Sequence, residues 1–345
     1  MKNKIFIRGG GLIALTVLTL AGCADLSAPR NDAPSAAPSA DDWALGVASA
    51  PSGLTERVRN TVKAEFSDAK VEGEKFRETD EIWQEKLGPL ADNPDFQRAE
   101  QLRQDRQFAA ARDLFLNLTK AYPSASGVYR RLGDCYYNLL ELHPAVAAYE
   151  TASRLNPENY FALRGLAFAH LYYGHSLWDA REFVKAHEQY GLALRLLQRC
   201  TRIYPADFEA LFGRSMAAEG ASRRLYQSAL ALRQAGKAEQ AAVAARNCLD
   251  VIEEGVETGR QRLRKNPDEV APKNVIGGLA QRRALLCHEF SALGNAAQSM
   301  EQAVNMYEAI LKTDPDNALA KQEAEKCRAL LEKWNADAEA EDRNN

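Results

Sequence analysis

Apolar residues recur at intervals of three and four along most of this chain, the spacing of one face of a helix. Leu54, Val58, Val62 and Phe66 form the first such stripe, and Trp83, Leu87 and Leu90 a shorter second one, so residues 54–92 are predicted to be a helical N-terminal cap. From about Asn93 the helical pattern is cut five times, at Tyr122-Pro123, Asn156-Pro157, Tyr204-Pro205, Asn266-Pro267 and Asp314-Pro315. Proline cannot continue a helix and pushes the residue before it out of helical geometry, so each pair ends one helix and starts another. Successive prolines lie 34, 48, 62 and 48 residues apart. The excess over 34, shared between two antiparallel helices, is seven residues per helix for the first step, close to two turns or about 10 Å. Growth by whole turns keeps each apolar stripe facing its partner. The pattern therefore predicts helical hairpins that lengthen toward the fourth and then shorten. The fourth should run from about Ala206 to Lys265 and turn at Ala235-Gly236-Lys237, with a second-arm stripe of Ala241, Ala244, Ala245, Cys248, Val251, Ile252 and Val256. The fifth should turn at Gly294-Asn295. A helix from Ala318 to about Asn335 should cap the stack, leaving Ala336–Asn345 as a polar, frayed tail.

One stretch is more specific. It reads Tyr129-x2-Leu132-Gly133-x2-Tyr136, then Ala145-x3-Tyr149, Ala152 and Pro157. Gly133 and Ala145 are small enough for two helices to approach closely, and Tyr136 and Tyr149 fill the space beside them. This run resembles the tetratricopeptide repeat, a 34-residue helix–turn–helix unit that buries its apolar face only by stacking. The resemblance is sharp over residues 126–159 and covers 93–335 in architecture. The fold it implies is an all-α, tetratricopeptide-like solenoid of about five helical hairpins, with unusually long later hairpins and a C-terminal capping helix.

The N-terminus carries a separate signal. Lys2, Lys4 and Arg8 precede an apolar run from Gly9 to Leu20 that is too short to span a bilayer, and Leu20-Ala21-Gly22-Cys23 follows. This resembles a bacterial lipoprotein signal, which implies removal of residues 1–22 and lipidation of Cys23. Several acyl chains would give a stable anchor. Ala24, in place of an acidic residue directly after the cysteine, implies export to the outer membrane, facing the periplasm. Residues 23–53, with Ala-Pro-Ser-Ala-Ala-Pro-Ser-Ala at 33–40, cannot bury enough apolar surface to fold and read as a tether.

Charge and candidate chemistry narrow the function. The net charge is −3, and loss of Lys2, Lys4 and Arg8 would take it to −6, which gives no electrostatic reason to expect nucleic acid. After Cys23 an odd number of cysteines remains, Cys135, Cys200, Cys248, Cys287 and Cys327, all within predicted helices; they read as small buried hydrophobes, with a disulfide between neighbouring helices as the alternative. His170 and His175 are five apart, off the spacing that puts two ligands on one helical face, and His143 and His187 lie on other arms, so zinc is not expected. There is no phosphate-binding glycine loop, GxSxG or HExxH, and the chain is read as a non-enzyme without cofactor beyond the lipid on Cys23.

In the tetratricopeptide family the first helix of each repeat lines the concave surface where ligand peptides lie. That resemblance implies a partner face built from Glu100 and Arg103; from Arg130, Arg131, Asp134, Tyr137 and Asn138; and from Phe161, Arg164, Phe168, Leu171 and Tyr172. Arginine suits carboxylates and backbone oxygens, and the rings add rigid contact area. The Lys/Asn clamp by which some relatives hold a peptide C-terminus is not reproduced, because Asp134 stands where an Asn is needed. The chain resembles in build the outer-membrane pilotin and assembly-factor lipoproteins. The expected function is a membrane-anchored scaffold that binds an envelope protein or complex; self-association through a solenoid face is a further expectation. The alternative is a small-ligand or lipid-binding lipoprotein of a transport system, with the long hairpins splayed around an apolar cavity.

Overall fold

The computed structural model describes residues 90–291 and 295–344, as helices joined by short turns. The signal, Cys23, the tether and nearly all of the expected cap at 54–92 lie outside the described residues, as does Gly294 of the fifth turn. Eleven helices are described: α1 (Pro94–Gln104), α2 (Phe108–Ala121), α3 (Ser126–Asn138), α4 (Leu142–Leu155), α5 (Tyr160–Asp179), α6 (Phe183–Ile203), α7 (Phe208–Gln234), α8 (Ala238–Lys265), α9 (Val270–Glu289), α10 (Ala296–Thr313) and α11 (Ala318–Asn344). They form five antiparallel hairpins, α1/α2 to α9/α10, each packed on the next, and α11 closes the stack. The chain is an all-α, tetratricopeptide-like solenoid. The second arms α4, α6 and α8 measure 14, 21 and 28 residues, and α10 falls back to 18, so the arms grow in steps of seven.

The Xaa-Pro junctions repeat one device. The residue before each proline caps the preceding helix outside helical geometry, with φ from −131° at Tyr122 to −140° at Asn156. Two residues after the proline, a backbone N–H returns to that capping residue's carbonyl, as Asn159 does to Asn156 at 3.1 Å and Asp207 to Tyr204 at 3.2 Å. The same residue then opens the next helix. Asn159, Asp207 and Asn317 accept from Ala162, Ala210 and Ala320 at 3.0, 2.9 and 3.0 Å, satisfying an orphan N–H of the first turn.

Four hairpin tips share a second device. Arg106, Leu140, Arg181 and Gly236 hold φ between 60° and 72°, the left-handed conformation that ends a helix and turns the chain. Only the fourth is glycine. Arg181 is exposed, and Glu182 N–H closes the turn on the Leu177 carbonyl at 2.8 Å. Because a side chain at this φ costs free energy that glycine avoids, Arg181→Gly is expected to raise stability by about 0.5–1 kcal/mol in urea unfolding. A neutral or negative effect would show that Arg181 makes a compensating contact.

Aromatic rings of second arms wedge between glycines of flanking first arms. A Cβ on Gly133 or Gly165 would come within 2.8 and 2.4 Å of the Tyr149 ring, so α3 and α5 close on opposite faces of one tyrosine. Tyr190 sits in the same way between Gly174 and Gly220, at 2.8 and 2.5 Å. Overpacking of this kind outweighs the helix propensity gained from alanine, so Gly165→Ala is expected to cost about 1–3 kcal/mol in the same assay. An unchanged midpoint would contradict the wedge.

The core is a large central cluster flanked by a smaller one at each end of the stack, with large side chains such as Phe115, Tyr149, Tyr190, Phe212 and Tyr307 fully enclosed. All five cysteines beyond Cys23 are buried free thiols, as the small-hydrophobe reading expected. Burial pushes the thiols of Cys135, Cys200, Cys248 and Cys327 up to about 12, which makes them poor nucleophiles. In α11, Ala320, Ala324 and Cys327 pack on the preceding hairpin while Lys321, Gln322, Glu325 and Arg328 face out. That polar outer face lets a solenoid end in water. The helix does not stop near Asn335: it runs on through the expected tail to Asn344, where Ala336, Ala338, Glu339 and Ala340 are strong helix formers.

Candidate partner-binding face

First arms touch the first arms of neighbouring hairpins, α3 on α5, α5 on α7 and α7 on α9, whereas second arms make no comparable contact with one another. The first arms therefore line the tighter, inner side of the solenoid. At its N-terminal end this side carries a fixed charge network. Arg103 and Arg131 bind the two oxygens of Glu100 at 2.5 and 2.9 Å, Arg130 binds Asp134 at 2.8 Å, and Arg103 also lies 3.6 Å from Asp134. The Tyr149 hydroxyl donates to the other Asp134 oxygen at 2.7 Å, tying the network to the wedge ring beneath it. Asn138 donates to the Asp134 carbonyl at 2.8 Å.

The electrostatics follow from this geometry. Burial alone would raise the Glu100 carboxyl, but the Arg103 hydrogen bond and the charges of Arg131, Arg103 and Arg130 hold it down at about 2. Burial, and then the Asp134 charge, pushes the Tyr149 hydroxyl well above its usual range. The guanidiniums also lie over rings, Arg131 5.0 Å from the Phe96 centroid, Arg130 6.0 Å from Phe161 and Arg164 5.5 Å from Phe168. Side chains of Arg103 and Arg164 remain about one quarter exposed, at 25% and 26%, although Arg164 Nε itself is buried against Asp207.

The expected face thus divides. Arg103, Arg130, Asp134 and Asn138 share one network on α1 and α3, and Arg164 lies on α5 in a separate pair with Asp207. Tyr137, Phe168 and Tyr172 do not offer open contact area, being 2%, 9% and 1% exposed. Tyr137 meets Tyr172 edge-on at 5.7 Å, and Phe168 fills the space over Gly213. The close approach of neighbouring first arms, which makes the face concave, also covers its rings. Leu171 is buried with them, while Phe161 stays partly open beneath Arg130.

Sequence reasoning missed Asp207. It lies 4% exposed at the α6/α7 junction, where one carboxylate caps α7, accepts from the Tyr160 hydroxyl at 2.5 Å and makes a 3.0 Å ion-pair contact with Arg164 Nε. Arg164 owes its position to this contact. The available signal was the Pro-x-Asp pattern at 205–207, which announces a cap but not a distant tyrosine and arginine.

A second polar centre lies deeper, among the long hairpins. Glu219 of α7 accepts from Arg223 at 2.9–3.1 Å and from Arg282 of α9 at 3.1 Å, and Arg282 also reaches the Ser222 hydroxyl at 2.8 Å. His175 pairs with the Tyr190 hydroxyl at 2.9 Å, His187 with the Gly220 carbonyl at 3.2 Å and His170 with Gln189 at 2.7 Å. Burial pushes His175 down to about 3 and His187 to about 4. Among the described residues no group of His, Cys, Asp and Glu has an arrangement that could hold a metal ion, and no helix is long and apolar enough to cross a membrane.

No protein-family model matches the chain, and no curated protein matches it. Solved structures are similar in repeat build. A tetratricopeptide protein with an unusual peptide-binding site, YrrB, is 18% identical over 71% of this chain and 95% of its own, with a TM-score of 0.43. MamA from Desulfovibrio magneticus is 14% identical over 64% of this chain and 95% of its own, with a TM-score of 0.41. The tetratricopeptide domain of P58(IPK) is 14% identical over 81% of this chain and 74% of its own, with a TM-score of 0.31.

Proposed function

We propose that this protein is a lipid-anchored scaffold of a bacterial envelope, tethered by Cys23 to the outer membrane, whose inner face holds a segment of a periplasmic or outer-membrane protein. The observation that carries the reading is the set of guanidiniums on the first arms. Glu100, Asp134 and Asp207 fix Arg103, Arg130 and Arg164 in place, while about a quarter of the Arg103 and Arg164 side chains remains open to solvent. Donors held in advance lose little freedom on binding and suit an extended chain rich in carbonyls and carboxylates. The basic start, short apolar run and Leu-Ala-Gly-Cys box support the anchor, and the Ala/Pro/Ser-rich stretch supports a tether between anchor and solenoid.

The scaffold reading predicts that purification of the protein from crosslinked membranes recovers a stoichiometric envelope protein. Arg103→Gln with Arg130→Gln should cut that recovery at least tenfold while the melting temperature moves by only a few degrees. Equal recovery by the variant and the parent would overturn the inner face as the site. A membrane fraction free of the protein, or unaltered in a Cys23→Ala variant, would overturn the anchor.

A further inference from the structure

The seven-residue steps do more than lengthen the hairpins. Taking the fourteen-residue arm α4 as the basic unit, the added segments are 174–179 of α5, 183–189 of α6 and 222–234 of α7. His175, Trp178, His187, Gln189, Ser222 and Arg223 all fall in them. Arg223 and Ser222 pair with Glu219 and Arg282, Trp178 lies beneath Arg223 and His187 meets the Gly220 carbonyl, so the insertions build out a polar centre whose Glu219 and Arg282 lie in the basic-unit segments of α7 and α9.

The centre has three properties that point to a guest. The first is charge: Arg223 and Arg282 share the single carboxylate of Glu219, all three side chains being at most 11% exposed. Asp179 at the end of α5, the exposed Arg224 of α7 and Arg195 of α6, and the buried Glu323 of α11, which pairs with Lys326, are the other charged groups that act on its histidine and tyrosine neighbours. Within this cluster two guanidiniums face one carboxylate, an imbalance that an anion relieves. The second is space: Gly278 is buried on α9, one turn before Arg282, yet a Cβ there would meet only Glu219 Oε1, at 3.9 Å. The third is donors. Arg223 spends Nε and Nη2 on Glu219, and Arg282 spends both terminal nitrogens on Glu219 and Ser222, leaving Arg223 Nη1 and Arg282 Nε. His175 Nε2 and the Tyr307 hydroxyl, on residues 4% and 0% exposed, are buried without a hydrogen-bond partner, and the Glu219 charge acts on both residues. His175 Nδ1 shares a 2.9 Å hydrogen bond with the Tyr190 hydroxyl, and an anion beside Nε2 would favour the tautomer that carries its proton there. His187 gives its Nδ1–H to the Gly220 carbonyl, so its Nε2 is an acceptor and is not counted.

We propose that the space beside Gly278, bounded by Glu219, Arg223 and Arg282, is a binding site for a small oxyanion, a carboxylate or a phosphate, held by the arginines' remaining N–H groups. The site is independent of the partner face and is tested on the purified full chain without a partner. Titration calorimetry with sodium acetate and with sodium phosphate is run against sodium chloride at equal ionic strength. A saturable signal with acetate identifies a carboxylate guest, and one with phosphate a phosphate guest. Gly278→Ala adds a methyl where the structure has room, so it should keep its melting temperature in anion-free buffer and bind the active anion at least tenfold more weakly. Arg282→Gln should also bind it at least tenfold more weakly, with a lowered melting temperature because Glu219 loses a buried partner, while Arg224→Gln leaves binding unchanged. No saturable binding of either oxyanion, or undiminished binding by a folded Gly278→Ala, overturns the proposal.

Discussion

Acidification from pH 7 to pH 4 is expected to remove several kcal/mol of folding stability, chiefly through two histidines. His175 and His187 are held down at about 3 and about 4, first by burial, against 6.5 in an unfolded chain. For His187 the charges of Arg223, Arg224 and Arg282 add to burial, and the Gly220 carbonyl opposes it. For His175 the Glu219 charge opposes burial and the Arg223 charge adds to it. Between those values the unfolded chain binds protons that the folded chain refuses, so stability is complete above about pH 7 and falls as the pH drops below 6.5. At about 1.4 kcal/mol per unit over the roughly 2.5 units from 6.5 to 4, each histidine loses about 3 kcal/mol, so a loss on the order of 6 kcal/mol by pH 4 follows for the pair, a large share of what a domain possesses. Glu100 acts lower: its carboxyl, held at about 2, supplies stability present above 4.5 and lost only as the pH falls toward 2. Chemical denaturation at half-unit steps from pH 7.5 to 4 checks this. His187→Gln should flatten the profile, and a flat parent profile over pH 6.5–4.5 would contradict neutral, buried histidines.

Asp207→Ala is expected to be the most costly single truncation at a junction, about 3–5 kcal/mol. It removes the α7 cap, worth about 1 kcal/mol, and leaves the buried Tyr160 hydroxyl without the acceptor at 2.5 Å. It also strips Arg164 of its ion partner, at a cost reduced because that side chain is about a quarter exposed. Asp207→Asn keeps one oxygen for the cap and turns an amide N–H2 toward the Tyr160 hydroxyl, which can accept from it, and should recover about half the loss in urea unfolding. Arg164→Ala alone should cost less than Asp207→Ala. If Asp207→Ala and Asp207→Asn lose stability equally, the charge and not the hydrogen bonds is what matters. Because Asp207 fixes Arg164, Asp207→Asn should also weaken partner capture while the fold survives.

Architecture was legible where one residue type dictates a local geometry. Each Xaa-Pro pair ended a second arm at the expected residue, Gly236 marked the fourth tip, and the proline spacing gave the lengthening of the arms because extra residues can be added only in whole turns. The tips at Arg106, Leu140 and Arg181 carry no such mark, since each holds a left-handed conformation with a residue that does not favour it. The partner face was half legible. Helical spacing puts Arg130 and Asp134 on one side of α3, but whether Tyr137, Phe168 and Tyr172 face a groove or a neighbour depends on how tightly the first arms close. That closeness is set between hairpins by pairs such as Phe168 and Gly213, 45 residues apart in sequence. The polar centre was hidden for the same reason: Glu219 and Arg223 are one turn apart on α7, but Arg282 arrives from α9 and His175 from α5.

Hydrogen–deuterium exchange on the recovered complex tests the central claim most directly. If the inner face holds the partner, peptides of α1, α3 and the first half of α5, which carry Arg103, Arg130 and Arg164, gain protection on binding. Those of α2, α4 and the outward side of α11 then stay unchanged. Protection confined to the second arms or to α11, with the first arms unaltered, would contradict the account.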